Sequence, residues 1–316
     1  MKNLTKLKLF LHSVLPPVVF GAIYKTWAIH GTRRDSRIAA RMLAEQSRNP
    51  EVITFSRGNI SFPILLNPKN GALDTGVLRD RRYEQNVANV MARLARQGDA
   101  VIDVGANIGI HSLYFSRLVG ASGSVRAFEP VTALRSQFQE SIRLAAVTNV
   151  DVYPFAMGAA HATGTLHVDK TNAGHTSFVP IEDPATREIA EIRTPDSFDF
   201  SGITLIKVDV EGFEEAVIRG ALRTLRKSRP SLILEFSPML YTASQEDGRS
   251  LLDLLASLDY TLSDIEDDQK ELSSFDGFLA TFGPSLRGQT NLLCTPKFCR
   301  MEGVREVPNS AIRQGG

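Results

Sequence analysis

Residues that could do chemistry fall at four places in this chain. At Asp103-Val-Gly105-Ala106-Asn107-Ile-Gly109, a short apolar run from Ala100 ends in an acid and two glycines and then opens a helix. A buried strand feeding such a turn points backbone amides at a ligand from the N-terminus of the following helix. Glu129 ends the next apolar run, 26 residues after Asp103 and 20 after Gly109. From there a carboxylate can accept from the vicinal hydroxyls of a ribose. Further on, Lys207-Val-Asp209-Val-Glu211-Gly212 ends one apolar run and Glu235 ends another. Alternation places Lys207, Asp209 and Glu211 on one side for as long as the chain stays extended. Carboxylates converging at such strand ends could deprotonate a hydroxyl directly, or hold a divalent cation that lowers its pKa. Lys207 counts against the cation, and no metal is predicted. The fourth place is His175, in Gly174-His-Thr-Ser177, where an imidazole could bind an acceptor or serve as its base.

Each place also has a purely structural reading. The glycine turn could be a strand-to-helix connection that needs glycine only for packing. Asp209 and Glu211 stand where helix-capping residues occur, with Glu214 and Glu215 complementing the helix dipole. Glu235 could be the partner of a nearby arginine, and His175 a solvated loop residue.

The elements that must position these residues alternate. Strand 100–104 is followed by a helix over 108–119, a strand over 124–128, a helix over 134–146 and a strand over 150–155. After an interruption, with Gly158, Gly164 and Gly174 among short β-rich pieces, come strand 203–208, helix 213–227 and strand 231–236. A helix over 246–258 and strands at 260–263 and 291–294 complete the count. Strand and helix alternating at this pitch imply right-handed crossovers and a parallel α/β sheet, and the interruption reads as an inserted hairpin followed by a loop. Upstream, helical spacing over 33–48 precedes a strand pair within 51–66 that turns at Arg57-Gly58-Asn59, a loop at 67–71 and a helix over 83–96 with Val87, Val90, Met91 and Leu94 on one face.

Bulk properties narrow the function. Thirty-six basic against 35 acidic residues leave a net charge of +1, which argues against a nucleic-acid partner. Cys294 and Cys299 are the only cysteines; two ordinary thiols suit a reducing compartment, so the expected location is cytoplasmic. Residues 1–29 start basic and continue through LFLHSVLPPVVFGAIY, but His12, Ser13, Pro16, Pro17 and Lys25 interrupt them. That run is too broken for a bilayer span of about 20 residues, so a packed segment is expected, with membrane-surface contact as the alternative.

The turn departs from the dinucleotide fingerprint, because Asn107 stands where pyrophosphate needs a second glycine. Asn tolerates left-handed backbone but brings a side chain, which suits a nucleoside ligand without phosphates. S-adenosylmethionine is such a ligand, offering a ribose to Glu129 and an amino-acid end to the turn. An NAD-dependent Rossmann oxidoreductase fits Asn107 less well. A non-catalytic, membrane-associated binding module using residues 1–29 is a further alternative.

The chain resembles the FkbM family of S-adenosylmethionine-dependent methyltransferases. The resemblance rests on Tyr83-Glu84, VIDVGANIGIHS at 101–112, FEP at 128–130, AMG at 156–158, the 174–177 stretch, LIKVDVEGFEEAVIRGA at 205–221 and LILEFSP at 232–238. It implies a class I methyltransferase (Rossmann-like) fold with a seven-stranded, mostly parallel sheet whose last strand is antiparallel, helices on both faces, and methyl transfer to a hydroxyl of a small molecule or sugar. It further implies that Asp103, Gly105, Ala106, Asn107 and Gly109 form the cofactor turn and that Glu129 holds the ribose. Ala156 and Met157 would line the adenine, and Tyr83 would cover the methionine end. The chain then divides into an N-terminal cap (1–82), a methyltransferase domain (83–300) and a tail (301–316), with acceptor specificity expected in the cap and in residues 157–200.

Overall fold

The computed structural model describes residues 47–169, 176–178, 185–243, 248–283 and 288–297. Expectations placed on residues 1–29, His175, Cys299 and the tail lie outside the described residues, as does most of the helical spacing over 33–48. Among the described residues no helix is long and apolar enough to cross a membrane.

The first element of the described residues is the hairpin β1 (Glu51–Arg57) and β2 (Ile60–Leu66), paired antiparallel from Glu51 opposite Leu66 to Arg57 opposite Ile60. Alternation buries Ile53 and Phe55 with Phe62, Ile64 and Leu66 on one face. Helices α1 (Ala72–Asp80) and α2 (Gln85–Leu94) follow, and the 3-4 spacing of Val87, Val90 and Met91 gives α2 its buried face. Two rounds of strand and helix and a third strand come next: β3 (Ala100–Val104), α3 (Ile110–Val119), β4 (Ser124–Phe128), α4 (Thr132–Ala145) and β5 (Val150–Tyr153). Then β6 (Ala156–Met157), β7 (Ala162–Asp169), β8 (Thr176–Ser177) and β9 (Ala185–Arg193) form a separate sheet in the order β6-β9-β7-β8. The main sheet resumes with β10 (Ile203–Val208), α5 (Glu214–Gly220), α6 (Leu222–Ser228) and β11 (Ser231–Phe236). It closes with α7 (Pro238–Ala243), α8 (Gly248–Ser257), β12 (Tyr260–Asp264), β13 (Lys270–Glu271), α9 (Phe275–Ala280) and β14 (Thr290–Pro296).

The main sheet runs β13-β12-β14-β11-β10-β3-β4-β5. Strands β11, β10, β3, β4 and β5 are parallel neighbours, and β14 enters antiparallel between β11 and β12. Chain order reverses between β3 and β10, the switch point at which open α/β sheets bind ligands beyond the strands' carboxyl ends. Central strands are buried on both faces. Val101, Leu205 and Ile233 face one core with α3 and α4, whereas Ile102, Val104, Ile206, Val208, Leu232 and Leu234 face the other with α5, α6 and α8. The β1–β2 hairpin joins the first core through α4, where Ser141 Oγ accepts from Leu65 N at 3.1 Å and Gln137 Nε2 donates to Leu65 O at 2.8 Å.

The α/β fold, the parallel strands and the antiparallel last strand match the sequence reading. The differences have local causes. Among the described residues the sheet has eight strands rather than seven because β13, two exposed residues without an apolar pattern, adds to the edge of β12. The interruption over 157–200 builds a four-stranded sheet rather than a hairpin and loop, since β9 also pairs in parallel with β6. The helix expected over 213–227 is two helices meeting at Ala221, whose φ of −107° and ψ of 8° leave the helical range. Helix α1, with the acidic Asp74 among its buried residues, has too weak an apolar stripe to be read from sequence.

Candidate functional site

At the switch point the strand ends are tied to one another. Asp209 N donates to Val104 O at 3.0 Å, the N–H groups of Gly105 and Ala106 both donate to Phe128 O at 3.0 Å, and Glu129 N donates to Tyr153 O at 3.1 Å. A Cβ on Gly105 would lie 1.8 Å from the backbone oxygen of Asp209, and Gly105 has a φ of +79°. Glycine is therefore required there by both crowding and backbone conformation. The glycine turn thus presses directly on the acidic stretch that follows β10.

A cavity of about 420 Å³ opens over these ends, within the range of small-ligand sites. On one side lie Gly105, Asn107, Glu129, Phe128, Phe155, Ala156 and Met157; Tyr83, Glu84, Asp209, Glu211 and Glu235 line another part. Asn107 adopts the left-handed conformation expected of it, with a φ of 53°. Its N–H donates to Glu129 Oε2 at 2.8 Å and its own Oδ1 accepts from Ile108 N at 2.8 Å. The other carboxylate oxygen of Glu129 accepts from Val131 N at 2.8 Å. Burial outweighs these two bonds and raises the Glu129 carboxyl to about 7.

The remaining turn residues sit beneath or behind the cavity. Asp103 is fully buried; its Oδ2 accepts from Ser112 Oγ at 2.5 Å while Oδ1 has no partner among the described residues. With Ala106, His111 and Lys207 it borders a small secondary pocket under the turn. Gly109 starts α3, and its φ of +85° and the Phe138 ring 2.0 Å from a Cβ built there exclude a side chain.

On the acidic side, Lys207 Nζ donates to Asp209 Oδ2 at 2.8 Å, and Lys207 is only 2% exposed. Burial would lower the lysine pKa, but Asp209, Asp103 and Glu84 outweigh it and hold the ammonium above its ordinary value. One carboxylate oxygen each from Asp209, Glu211 and Glu235 lie within 4.8 Å of one another. Burial, then the charges of Asp209 and its acidic neighbours, push the Glu211 and Glu235 carboxyls well above the usual range. No arginine pairs with Glu235 among the described residues, and its Oε2 is buried without a hydrogen-bond partner.

Asp209 does not cap α5, whose N-cap is Phe213 with no side-chain cap bond. Glu214 does the satisfying instead: its Oε1 accepts from Val210 N at 3.0 Å and from Gly212 N at 3.4 Å, and burial raises its carboxyl to about 7. Glu211 itself adopts a left-handed φ of 54°.

Three participants carried no assigned role in the sequence reading. Glu84 lines the cavity, has a left-handed φ of 37° and bonds His111 Nε2 through Oε2 at 2.7 Å. Burial would raise its carboxyl, but His111 and Lys207 outweigh it and lower it to about 2. Its place beside Tyr83, whose ring lies 5.0 Å from that of His111, was the available signal. Phe128 and Phe155 belong to an aromatic cluster with Tyr153, Phe198 and Phe200, and the position of Phe128 just before Glu129 was the clue to its wall.

Comparison with known proteins gives this geometry a context. A family model described as "Methyltransferase FkbM domain" matches residues 103–262, half of the chain. The chain is similar to the hexuronic acid methyltransferase AglP of Haloferax volcanii, 30% identical over 152 residues that cover 47% of this chain and 61% of that protein. It is also similar to Methyltransferase 1 of Beauveria bassiana, 31% identical over 145 residues covering 38% of this chain and 57% of that protein. The chain thus spans about three-fifths of the length of the curated relatives it matches. Among solved structures, a methyltransferase FkbM from Methylobacillus flagellatus aligns over 70% of this chain and 53% of that one, at 16% identity and a TM-score of 0.40.

Proposed function

Because this chain belongs to the FkbM family of S-adenosylmethionine-dependent methyltransferases, we propose that it methylates a hydroxyl oxygen of a sugar or another small polyhydroxylated molecule. One observation carries the reading: the glycine turn with Glu129 and the carboxylates Asp209, Glu211 and Glu235 face a single cavity, pressed together where Gly105 meets the backbone of Asp209. A donor site and a proton-accepting site are thereby side by side. The similarity to AglP favours a sugar as acceptor.

The residues present fit the cofactor. The cavity of about 420 Å³ offers a buried carboxylate, Glu129, for a ribose, and the apolar pair Ala156 and Met157 with Phe128 and Phe155 for a flat base. No built phosphate cradle is needed, since Asn107 fills that place with a side chain. When bound, S-adenosylmethionine supplies a methyl group activated by its sulfonium charge. In this reading Gly105 and Asn107 shape the turn, Glu129 accepts from the ribose hydroxyls and Tyr83 covers the amino-acid end, with Asp103, Ala106 and Gly109 supporting the turn from below. Glu235, with Asp209 and Glu211, orients the acceptor hydroxyl and takes its proton as the carbon–oxygen bond forms. Holding the two reactants in line supplies most of the acceleration. His175 remains a second proposed base.

We keep residues 83–300 as the catalytic unit, with residues 1–82 as a cap and 301–316 as a tail. Calorimetric titration tests the donor: S-adenosylhomocysteine should bind and NAD should not. Binding of NAD alone would restore the oxidoreductase reading.

A further inference from the structure

We propose that Asp209, Glu211 and Glu235 form a cation subsite in the acceptor half of the cavity, taking either a divalent metal ion or the ammonium of an amino-substituted acceptor. The proposal rests on the reading of this part of the cavity as the acceptor site but not on the identity of the donor.

Spacing is the first argument. Carboxylate oxygens that all lie within 4.8 Å of one another can be touched together by one ion coordinated at about 2.1–2.5 Å, or by one ammonium hydrogen-bonded at about 2.8 Å. Charge is the second. Lys207 is committed to Asp209 at 2.8 Å and borders the small pocket beneath the turn. Among the described residues neither Glu211 nor Glu235 has a basic partner. Independent of the clustering, Glu235 is 6% exposed, lines the cavity and leaves Oε2 with no hydrogen-bond partner among the described residues. Buried acceptors in folded proteins are nearly always satisfied, and Glu235 lines the cavity, so its carboxyl is open to a ligand that carries a donor or a positive charge. The donor set is all carboxylate oxygen, which selects hard cations such as Mg²⁺ or Ca²⁺ over softer metals. An ammonium group is the other hard, compact cation that three carboxylates can enclose.

The full chain, with S-adenosylhomocysteine present and absent, is titrated calorimetrically with MgCl₂, CaCl₂ and MnCl₂ separately, and with glucosamine against glucose as the neutral control. Binding of a metal ion identifies the ion as occupant, whereas binding of glucosamine in preference to glucose identifies the ammonium. In either case Glu235→Gln should weaken that binding at least tenfold. Glu211→Gln is read in the same way, and circular dichroism confirms that each variant is folded. If neither class of cation binds, or if both folded variants bind as tightly as the parent chain, the proposal is overturned. Loss of S-adenosylhomocysteine binding with cation binding intact would instead overturn the donor assignment and leave this one standing.

Discussion

The backbone N–H of Asn107 donates to Oε2 of Glu129 at 2.8 Å, so the acid that ends β4 holds the turn that follows β3. The carboxylate proposed to bind the ribose and the turn proposed to hold the cofactor are thereby one mechanical unit, and Glu129 is also bonded to Val131 N at 2.8 Å. Glu129→Ala removes the charged acceptor and leaves two backbone N–H groups without their partner. Each charge-assisted bond is worth about 1.5–3 kcal/mol, so affinity for S-adenosylhomocysteine should fall tenfold or more by calorimetry, with a lowered Tm but a folded far-ultraviolet spectrum. Unchanged affinity would mean that the ribose lies elsewhere.

Glu235→Gln keeps the size of the side chain and breaks none of the hydrogen bonds described for its carboxyl. With the proton acceptor gone, kcat should drop by about 10²–10⁴, the usual contribution of a positioned base, while affinity for S-adenosylhomocysteine stays within threefold. A variant with parental kcat would move the base to another residue, with His175 the next to test.

Lys207 is buried and its partner Asp209 partly so, and breaking such a pair from one side costs more than removing it. Asp209→Asn removes the hydrogen-bonded counter-charge of the Lys207 ammonium, leaving it to Asp103 and Glu84, and should destabilise the fold by about 1.5–3 kcal/mol. Combining it with Lys207→Met should recover a large part of that loss in urea denaturation. Strict additivity of the two substitutions would show that the pair does not couple.

Buried acids whose carboxyls are raised set the pH dependence of stability in the ligand-free chain, with Glu211 and Glu235 acting in the same direction as Glu129, Glu214 and Asp74. Burial raises Glu129 and Glu214 from 4.5 to about 7 and Asp74 from 3.8 to about 6. The folded chain therefore retains protons that the unfolded chain has lost, so these acids contribute fully below pH 4 and that contribution disappears as pH rises through 6 to 7. The Tm should fall between pH 5 and pH 8. Glu214→Gln keeps an oxygen for the Val210 and Gly212 amides and removes the charge, so the fall should become shallower. A Tm that is flat or rising over this interval in the parent chain would contradict the assignment.

Much of this candidate site was legible in the sequence because the proposed chemistry lies at the ends of strands whose apolar runs are unmistakable. Asp103, Glu129, Asp209 and Glu235 each terminate such a run, and a parallel sheet gathers those ends on one edge. Asn107 could be read as left-handed from its residue type alone. The partners across the edge could not be read. Glu214 serving the amides of Val210 and Gly212 and Glu84 reaching His111 27 residues on depend on side-chain directions that alternation does not fix once the backbone leaves the strand, whereas Lys207 beside Asp209 follows from it. Short edge elements such as β13 were invisible because two exposed residues carry no periodicity.

The central claim is methyl transfer from S-adenosylmethionine to a hydroxyl oxygen, and the most direct measurement follows the methyl carbon itself. The full chain is incubated with S-adenosylmethionine labelled with ¹³C in the methyl group and with a panel of neutral, amino and acidic sugars, and products are analysed by mass spectrometry and carbon-13 NMR. The account predicts a labelled methyl ether on one of these acceptors and its loss in Glu235→Gln. Label appearing on nitrogen or carbon, or no labelled sugar from a protein that binds S-adenosylhomocysteine, would contradict it.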